Sequence, residues 1–206
     1  MANFNKIYLY RMVHIANMGH IIQYGITHKD SLASNPSYLP IGDNSLIDVR
    51  SGKRLPDGTR LGDYIPFYFH YRMPMLYVLQ KGFNQLPACP ADQIVYCISS
   101  VQKVLDLGLD FIFTNGHAAA GLSSFYDKKD VERITTLLDF EAITASYWKS
   151  EHDLDLKRRK EAEFLILGDV PSEAILGFAA FNESAQKQIA NFSPQQPIII
   201  RPNYYF

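Results

Sequence analysis

The chain has 206 residues, 20 basic and 21 acidic side chains, a formal net charge of -1, and is 47% hydrophobic and 13% aromatic. That composition buries a sizeable core in one domain spanning 1–206 and excludes wholesale disorder. The near-neutral balance excludes a polycationic tail protein, so any nucleic-acid site must be a local basic patch. Two cysteines, Cys89 and Cys97, fit neither a disulfide framework nor a zinc centre, and no apolar window reaches 18 residues; a soluble cytoplasmic protein is expected.

In chain order, Ile7 to Val13 reads as a strand from its β-branched and aromatic content. Asn17 to Tyr24 reads as a short helix, with Asn17 as cap and Gly25 as the left-handed stop. Thr27 to Arg60 is polar and carries the turn signals Asn35-Pro36, Gly42-Asp43 and Asp57-Gly58; a loop of that length in a compact domain points to function. Tyr64 to Phe69 reads as a strand in which Pro66 argues for an edge or a bulge. A helix over Pro74 to Lys81, ended by Gly82, precedes a strand over Gln93 to Ser99 and a Ser100-capped helix ending near Gly108. Asp110 to Thr114 reads as a buried strand, and Asp130 to Lys149 as helix in pieces. Core strands at Ala162 to Leu167 and Ile175 to Phe181 lead to a helix over Glu183 to Ala190 and a closing strand over Ile198 to Arg201. Strands outnumber long helices without regular alternation, which favours an α+β fold over a doubly wound sheet.

No GxGxxG, Walker loop, GxSxG, HExxH or CxxC pattern occurs, and the six histidines are scattered, so no metal is expected. The informative stretch is Lys157 to Leu167, KRRKEAEFLIL, where four basic residues meet two carboxylates at the start of an apolar strand. Alternation along a strand would point Glu161 and Glu163 the same way. A carboxylate between Ala162 and Phe164 is costly to bury unpaired. It is either an edge-strand charge paired with an arginine or a group at the lip of a pocket. The KRRK run is either a solvated face or a phosphate-attracting patch. Arg50, Lys53, Arg54 and Arg60 form a second basic group, suited by their planar forks to pyrophosphate or phosphodiester, or else ordinary surface charge. His117 ends the Phe113 to Ala118 turn, where it either meets a ligand or bonds its own backbone. Tyr68, Phe69, Tyr71 and Arg72 either stack on a ring or belong to the core, and Tyr147-Trp148 reads as a hydrophobic corner.

Six ordered blocks carry a family resemblance: HIANM (14–18), GDYIPFYF (62–69), RMPMLY (72–77), FIFTNGHA (111–118), DFEAITASYW (139–148) and KRRKEAEFLI (157–166). Together they resemble the DarT family of DNA ADP-ribosyltransferase toxins from DarT–DarG toxin–antitoxin systems. The resemblance implies a compact, PARP-like ADP-ribosyltransferase fold with a central antiparallel or mixed β core and peripheral helices. It implies NAD as co-substrate, a base in single-stranded DNA as acceptor, and a macrodomain antitoxin as partner. Glu163 falls on the catalytic glutamate and Arg50 on the loop arginine that meets NAD, with Arg54 as the fallback. The resemblance further assigns Arg11, Met12, Val13, His20 and His28 to NAD, and Arg54, Arg72, Met75, His117, Lys157, Arg158 and Arg159 to DNA. One departure stands out: where many members resemble H-I-T, this chain reads Arg11-Met12-Val13. That departure tilts the expected acceptor toward guanine over thymine.

In the implied chemistry, Glu163 stabilises oxocarbenium character at the ribose as nicotinamide leaves. The acceptor nitrogen must lose a proton, and Arg50 or His117 is placed to help. A guanidinium is a poor base, so Arg50 is better read as a pyrophosphate clamp. The segment 125–160 is expected to form a DNA-facing wall, with Lys157, Arg158, Arg159 and Lys160 as phosphate contacts. Competing expectations are transfer to RNA or protein, a silent NAD- or nucleic-acid-binding module, and a structural interaction domain.

Overall fold

The computed structural model describes residues 3–42, 44–55, 58–84 and 86–206, with backbone alone for 44–47. Asp43 and Asp57, read above as turn residues, lie outside the described residues.

Eight strands form one sheet: β1 (Tyr8–His14), β2 (Tyr64–Tyr68), β3 (Ile94–Ser100), β4 (Phe111–Thr114), β5 (Phe125–Tyr126), β6 (Glu163–Leu167), β7 (Gly177–Ala180) and β8 (Ile198–Ile200). Their order is β5-β4-β6-β2-β1-β3-β7-β8. Neighbours run antiparallel except for the parallel β7–β8 pair. The helices are α1 (Met18–Tyr24), α2 (Asn44–Gly52), α3 (Pro74–Lys81), α4 (Val101–Asp106), α5 (Ile134–Leu137), α6 (Phe140–Thr144), α7 (Leu156–Lys160) and α8 (Glu183–Ala190). This is the expected α+β arrangement with a mixed sheet at its centre.

Every residue of β3 is buried, because the sheet is covered on both faces. On one face Leu9, Val13, Cys97, Phe178 and Ile189 join the main core. On the other, Tyr96, Ala179 and Tyr205 form an aromatic-rich cluster with Tyr10, Tyr71 and Tyr204 packed against it. Local signals operate where expected. Ser100 accepts from the Lys103 N–H at 3.1 Å and starts α4. Pro74 opens α3, and Gly82 closes it at φ +66°. Gly25 takes φ +84°, and a side chain there would strike the Val170 carbonyl.

Three expectations change. Asn17 does not cap α1. Its side chain instead donates to the Leu39 carbonyl at 2.8 Å and accepts from the Leu39 N–H at 2.9 Å, pinning the long loop to the core. That loop is not wholly irregular, since α2 lies within it. The Asn44–Gly52 sequence has serine, aspartate and glycine with little helix propensity, so the helix depends on packing against the 3-10 turn Leu61–Asp63. Glu161 is not in a strand: it follows α7, and β6 begins at Glu163. The same-face argument for the two carboxylates therefore fails.

The feature that positions the site is a split in the sheet. Strand β1 pairs with β3 over seven positions, and β2 pairs with β6 over five. Between β1 and β2 the register is one pair, Tyr10 with Tyr68. Pro66 is thus in an interior strand, not at an edge. Its carbonyl accepts from Arg11 Nη1 at 2.9 Å across the opening. Because N and C=O of a strand residue point the same way, the missing N–H of Pro66 also faces the gap. The proline is tolerated where the ladder has parted.

Candidate active site

Glu163 opens β6 opposite Tyr68, the residue at which β2 still pairs with β1. Its strand β6 is interior, between β2 and β4, so the edge-strand reading is overturned, while the predicted arginine pairing holds. The residue is fully buried. Its Oε2 accepts from Arg50 Nη1 at 2.8 Å, and its Oε1 accepts from the Ala118 backbone N–H at 2.8 Å. The Thr114 hydroxyl donates to the Gly116 carbonyl at 2.7 Å and accepts from the Glu163 N–H at 3.1 Å, fixing the β4 turn against β6. A buried carboxylate is thereby matched with one cation and one backbone donor.

Arg50 comes from the end of α2. Burial works against its charge, but the Glu163 carboxylate more than compensates and the pKa is raised. Its second terminal nitrogen, Nη2, is buried without a hydrogen-bond partner among the described residues, as is Nε of Arg11. Both residues line a cleft of about 440 Å³ that also includes Met12, Thr27, His28, Tyr38, Tyr64, Pro66 and Tyr68. This volume is in the range of small-molecule sites. Unsatisfied guanidinium donors in such a cleft fit a ligand rich in phosphate oxygens.

A second cavity of about 550 Å³ adjoins it, lined by Val49, Ala119, Ala120, Leu154, Lys157, Arg158 and Glu161 among others. Tyr68, Met75 and His117 line both. Burial raises the Tyr68 pKa, reinforced by the Glu163 charge, so its phenol is neutral. Burial lowers the His117 pKa, with Glu163 opposing and Arg50, Lys157 and Lys53 assisting. His117 Nδ1 accepts from the Ala119 N–H at 3.2 Å. That tautomer carries its proton on Nε2. The histidine bonds its own turn, as the backbone reading expects, and its ring also lines both cavities.

The remaining expectations divide. Met12 and His28 line the cleft, although His28 Nε2 is 2.7 Å from the Gly62 carbonyl. Val13 is fully buried in the main core, so its side chain does not reach the cleft. His20 stands behind the wall, 3.0 Å from the hydroxyl of Thr27. Arg54 is exposed and donates to the Gly58 carbonyl, outside both cavities, which leaves Arg50 as the loop arginine at Glu163. Arg72 also lies outside them, with its guanidinium 4.3 Å from the centre of the Phe206 ring. Of the aromatic quartet, Tyr68 reaches the site, Phe69 is core, and Tyr71 stacks on Tyr204 at 3.7 Å. Trp148 packs on Tyr77 and Phe206, while Tyr147 is exposed.

The basic run is mostly committed internally. Arg158 is forked onto Asp155 and also bonds Asn115 and Ser123. Arg159 bonds Asp139 and Asp153 and pairs with Asp155. Lys160 is buried and donates to the Ile143 and Ala145 carbonyls at 3.0 and 2.7 Å. These three are held by internal partners and do not form a solvated face, and of them Arg158 also lines the second cavity. They clamp the segment 139–155 to the β4 turn. Lys157 remains at the second cavity. Lys53 belongs to the basic group around the long loop. It donates to the Ala118 carbonyl at 2.7 Å, on the peptide whose neighbouring N–H holds Glu163.

The family model for the ssDNA thymidine ADP-ribosyltransferase DarT matches residues 10–206. The chain belongs to the DarT family. Its sequence is 30% identical to the DNA ADP-ribosyl transferase of Thermus sp. (strain 2.9), over 96% of this chain and 95% of that protein. The solved structure of Thermus sp. 2.9 DarT in complex with ADP-ribosylated ssDNA superposes with a TM-score of 0.87 at 28% identity, covering 98% of this chain and 97% of the other. The same DarT in complex with NAD+ gives 0.80 at 29% identity, covering 97% and 98%. A Thermosipho africanus protein described as a DNA ADP-ribosyl transferase–DNA ADP-ribosyl glycohydrolase fusion is 25% identical over 96% of this chain and 49% of its own length. This DarT is thus a DNA ADP-ribosyltransferase that uses NAD. Among its described residues, no helix is long and apolar enough to cross a membrane.

Proposed function

We propose that this DarT binds NAD in the cleft between β1 and β2 and passes ADP-ribose to a base of single-stranded DNA held in the adjoining cavity. The observation that carries this reading is the Glu163 carboxylate, fully buried and paired with Arg50, which itself lines the cleft. In the free protein Arg50 covers the carboxylate. On binding, a ribose hydroxyl takes up Oε2, and Arg50 turns its donors to the pyrophosphate, for which Nη2 is already unsatisfied. Glu163 then faces positive charge growing on the ribose as the bond to nicotinamide breaks; fixed charges of this kind are worth about 3–4 kcal/mol each. The base nitrogen forms the new bond to the anomeric carbon and sheds its proton. An unstacked base enters such a cavity at lower cost from a single strand than from a duplex.

Thymine is the acceptor favoured by the family description. The guanine expectation rests on Arg11-Met12-Val13, and Arg11 holds the Pro66 carbonyl and lines the NAD cleft, not the second cavity. We adopt thymine. The fusion relative supports a glycohydrolase partner, which we take to be a macrodomain antitoxin of the DarG type; the cytoplasm is our proposed site of action for the pair. The test is incubation with labelled NAD and separate pools of RNA, protein and single-stranded oligonucleotides with thymine or guanine as the one reactive base. Label on thymine oligonucleotides is expected. Label on guanine alone would replace the base, and label on RNA or protein alone would overturn the DNA reading.

A further inference from the structure

The proton on the acceptor nitrogen needs a destination, and neither Arg50 nor His117 serves. Arg50 is a cation made more basic by Glu163, so it has no lone pair to offer. His117 has its one imidazole lone pair engaged by the Ala119 N–H and presents a donor at Nε2. Tyr68, at the same junction, is a neutral phenol. Glu163 is spoken for by Arg50 and the Ala118 N–H.

One acceptor remains. Glu161 lines the second cavity with His117, Met75 and Tyr68, the residues that also line the NAD cleft. Among the described residues, no hydrogen bond or ion pair holds its carboxylate. It lies two residues before Glu163, at the end of α7, so the chain carries one carboxylate to the second cavity and buries the other against Arg50. We propose that Glu161 is the general base of the transfer, taking the proton from the acceptor nitrogen as that nitrogen bonds to the ribose. This deepens the functional reading above and rests on it. In the balanced step, the N–H electron pair forms the bond to the anomeric carbon and the proton goes to a Glu161 oxygen. The bond from that carbon to nicotinamide breaks, its pair leaving with neutral nicotinamide. For an imide nitrogen flanked by two carbonyls, the lone pair becomes nucleophilic only as the proton departs, so a base at this position governs the rate.

The electrostatics suit the task. Burial raises the Glu161 pKa to about 7, with the Glu163 charge adding and Lys157 and Lys160 opposing. A base poised near the working pH is half ionised and still a useful proton acceptor. The charged and titratable groups around it are Lys157 and Lys160 on α7, Glu163 on β6, Tyr68 on β2, and the cavity-lining Arg158 and His117.

The test compares wild type with Glu161→Gln in single-turnover transfer to a thymine oligonucleotide, alongside titrations of NAD and DNA binding. Loss of transfer by about 100-fold or more is expected, with both affinities within about twofold of wild type. Wild-type transfer should rise as pH increases through about 7, because the base must be ionised, and this rise should vanish in Glu161→Gln. Transfer by Glu161→Gln at the wild-type rate overturns the proposal, and so does a loss matched by equal losses in binding. If Glu161→Gln does not fold, Glu161→Asp decides: it retains a carboxylate and should keep slower, pH-dependent transfer, and a pH-independent rate would overturn the assignment. Failure of wild type to modify any DNA is a separate outcome, which rejects the function and not Glu161.

Discussion

Glu163→Gln keeps size and shape and still should not be silent in stability. The carboxylate accepts from Ala118 N–H and from Arg50 Nη1, each at 2.8 Å. An amide has one oxygen, so it can satisfy one of these donors and must turn its NH2 toward the other. The loss of one hydrogen bond to a charged group costs about 1.5–3 kcal/mol. Arg50→Ala is worse, because it leaves a fully buried carboxylate without its cation; breaking such a pair from one side costs about 3–5 kcal/mol. In Arg50→Ala/Glu163→Gln the remaining amide is neutral, its oxygen can serve Ala118, and no charge is stranded. The double variant should therefore lie near Glu163→Gln, at least about 2 kcal/mol more stable than the two single costs combined. Urea unfolding of the four proteins at pH 7 reads this coupling. Additivity within about 0.5 kcal/mol would refute the reasoning, since it would mean that the two side chains do not share one site. Transfer by Glu163→Gln should fall by about 10²–10³.

Lys157 and Arg159 adjoin in sequence and should behave differently. Lys157→Ala should lower the salt dependence of single-strand binding by about 0.7 in log–log slope, with little change in melting. Arg159→Ala should leave that slope alone and lower Tm by about 2–4 °C, because it removes the tie to Asp139, Asp153 and Asp155; a changed slope would restore it as a phosphate contact. A β-carbon at Gly62 would lie 2.8 Å from the Ser51 Cα. Gly62→Ala should push α2 outward, move Arg50 off Glu163 and weaken NAD binding by about tenfold, an effect of about 1.4 kcal/mol within the range for overpacking. An unchanged NAD titration would show that α2 accommodates the methyl group.

Every strand except the two-residue β5, the α3 and α4 boundaries and the α+β class were legible because their signals are local: apolar runs for β3 and β6, Ser100 as a cap, Pro74 and Gly82 as helix ends. The block containing Glu163 was legible for the same reason, since a carboxylate amid apolar residues must find partners. Helix α2 was not, because Asn44–Gly52 becomes helical through contact with a turn that follows it in sequence. The basic run misled because its partners, Asp139, Asp153 and Asp155, sit in a segment whose fold no short pattern reveals.

Local patterning was enough to say which residues had to be buried and which buried residue had to be charged. Tertiary structure decided who meets whom. It parted β1 from β2 and placed Pro66 in the gap. It brought Arg50 across 113 positions to Glu163. It also sent Glu161 to the second cavity while burying its near neighbour Glu163 against Arg50. The physical reason is range: propensity and alternation act over a few residues, whereas pairing a buried charge is settled by whichever distant donor the closed sheet delivers to it.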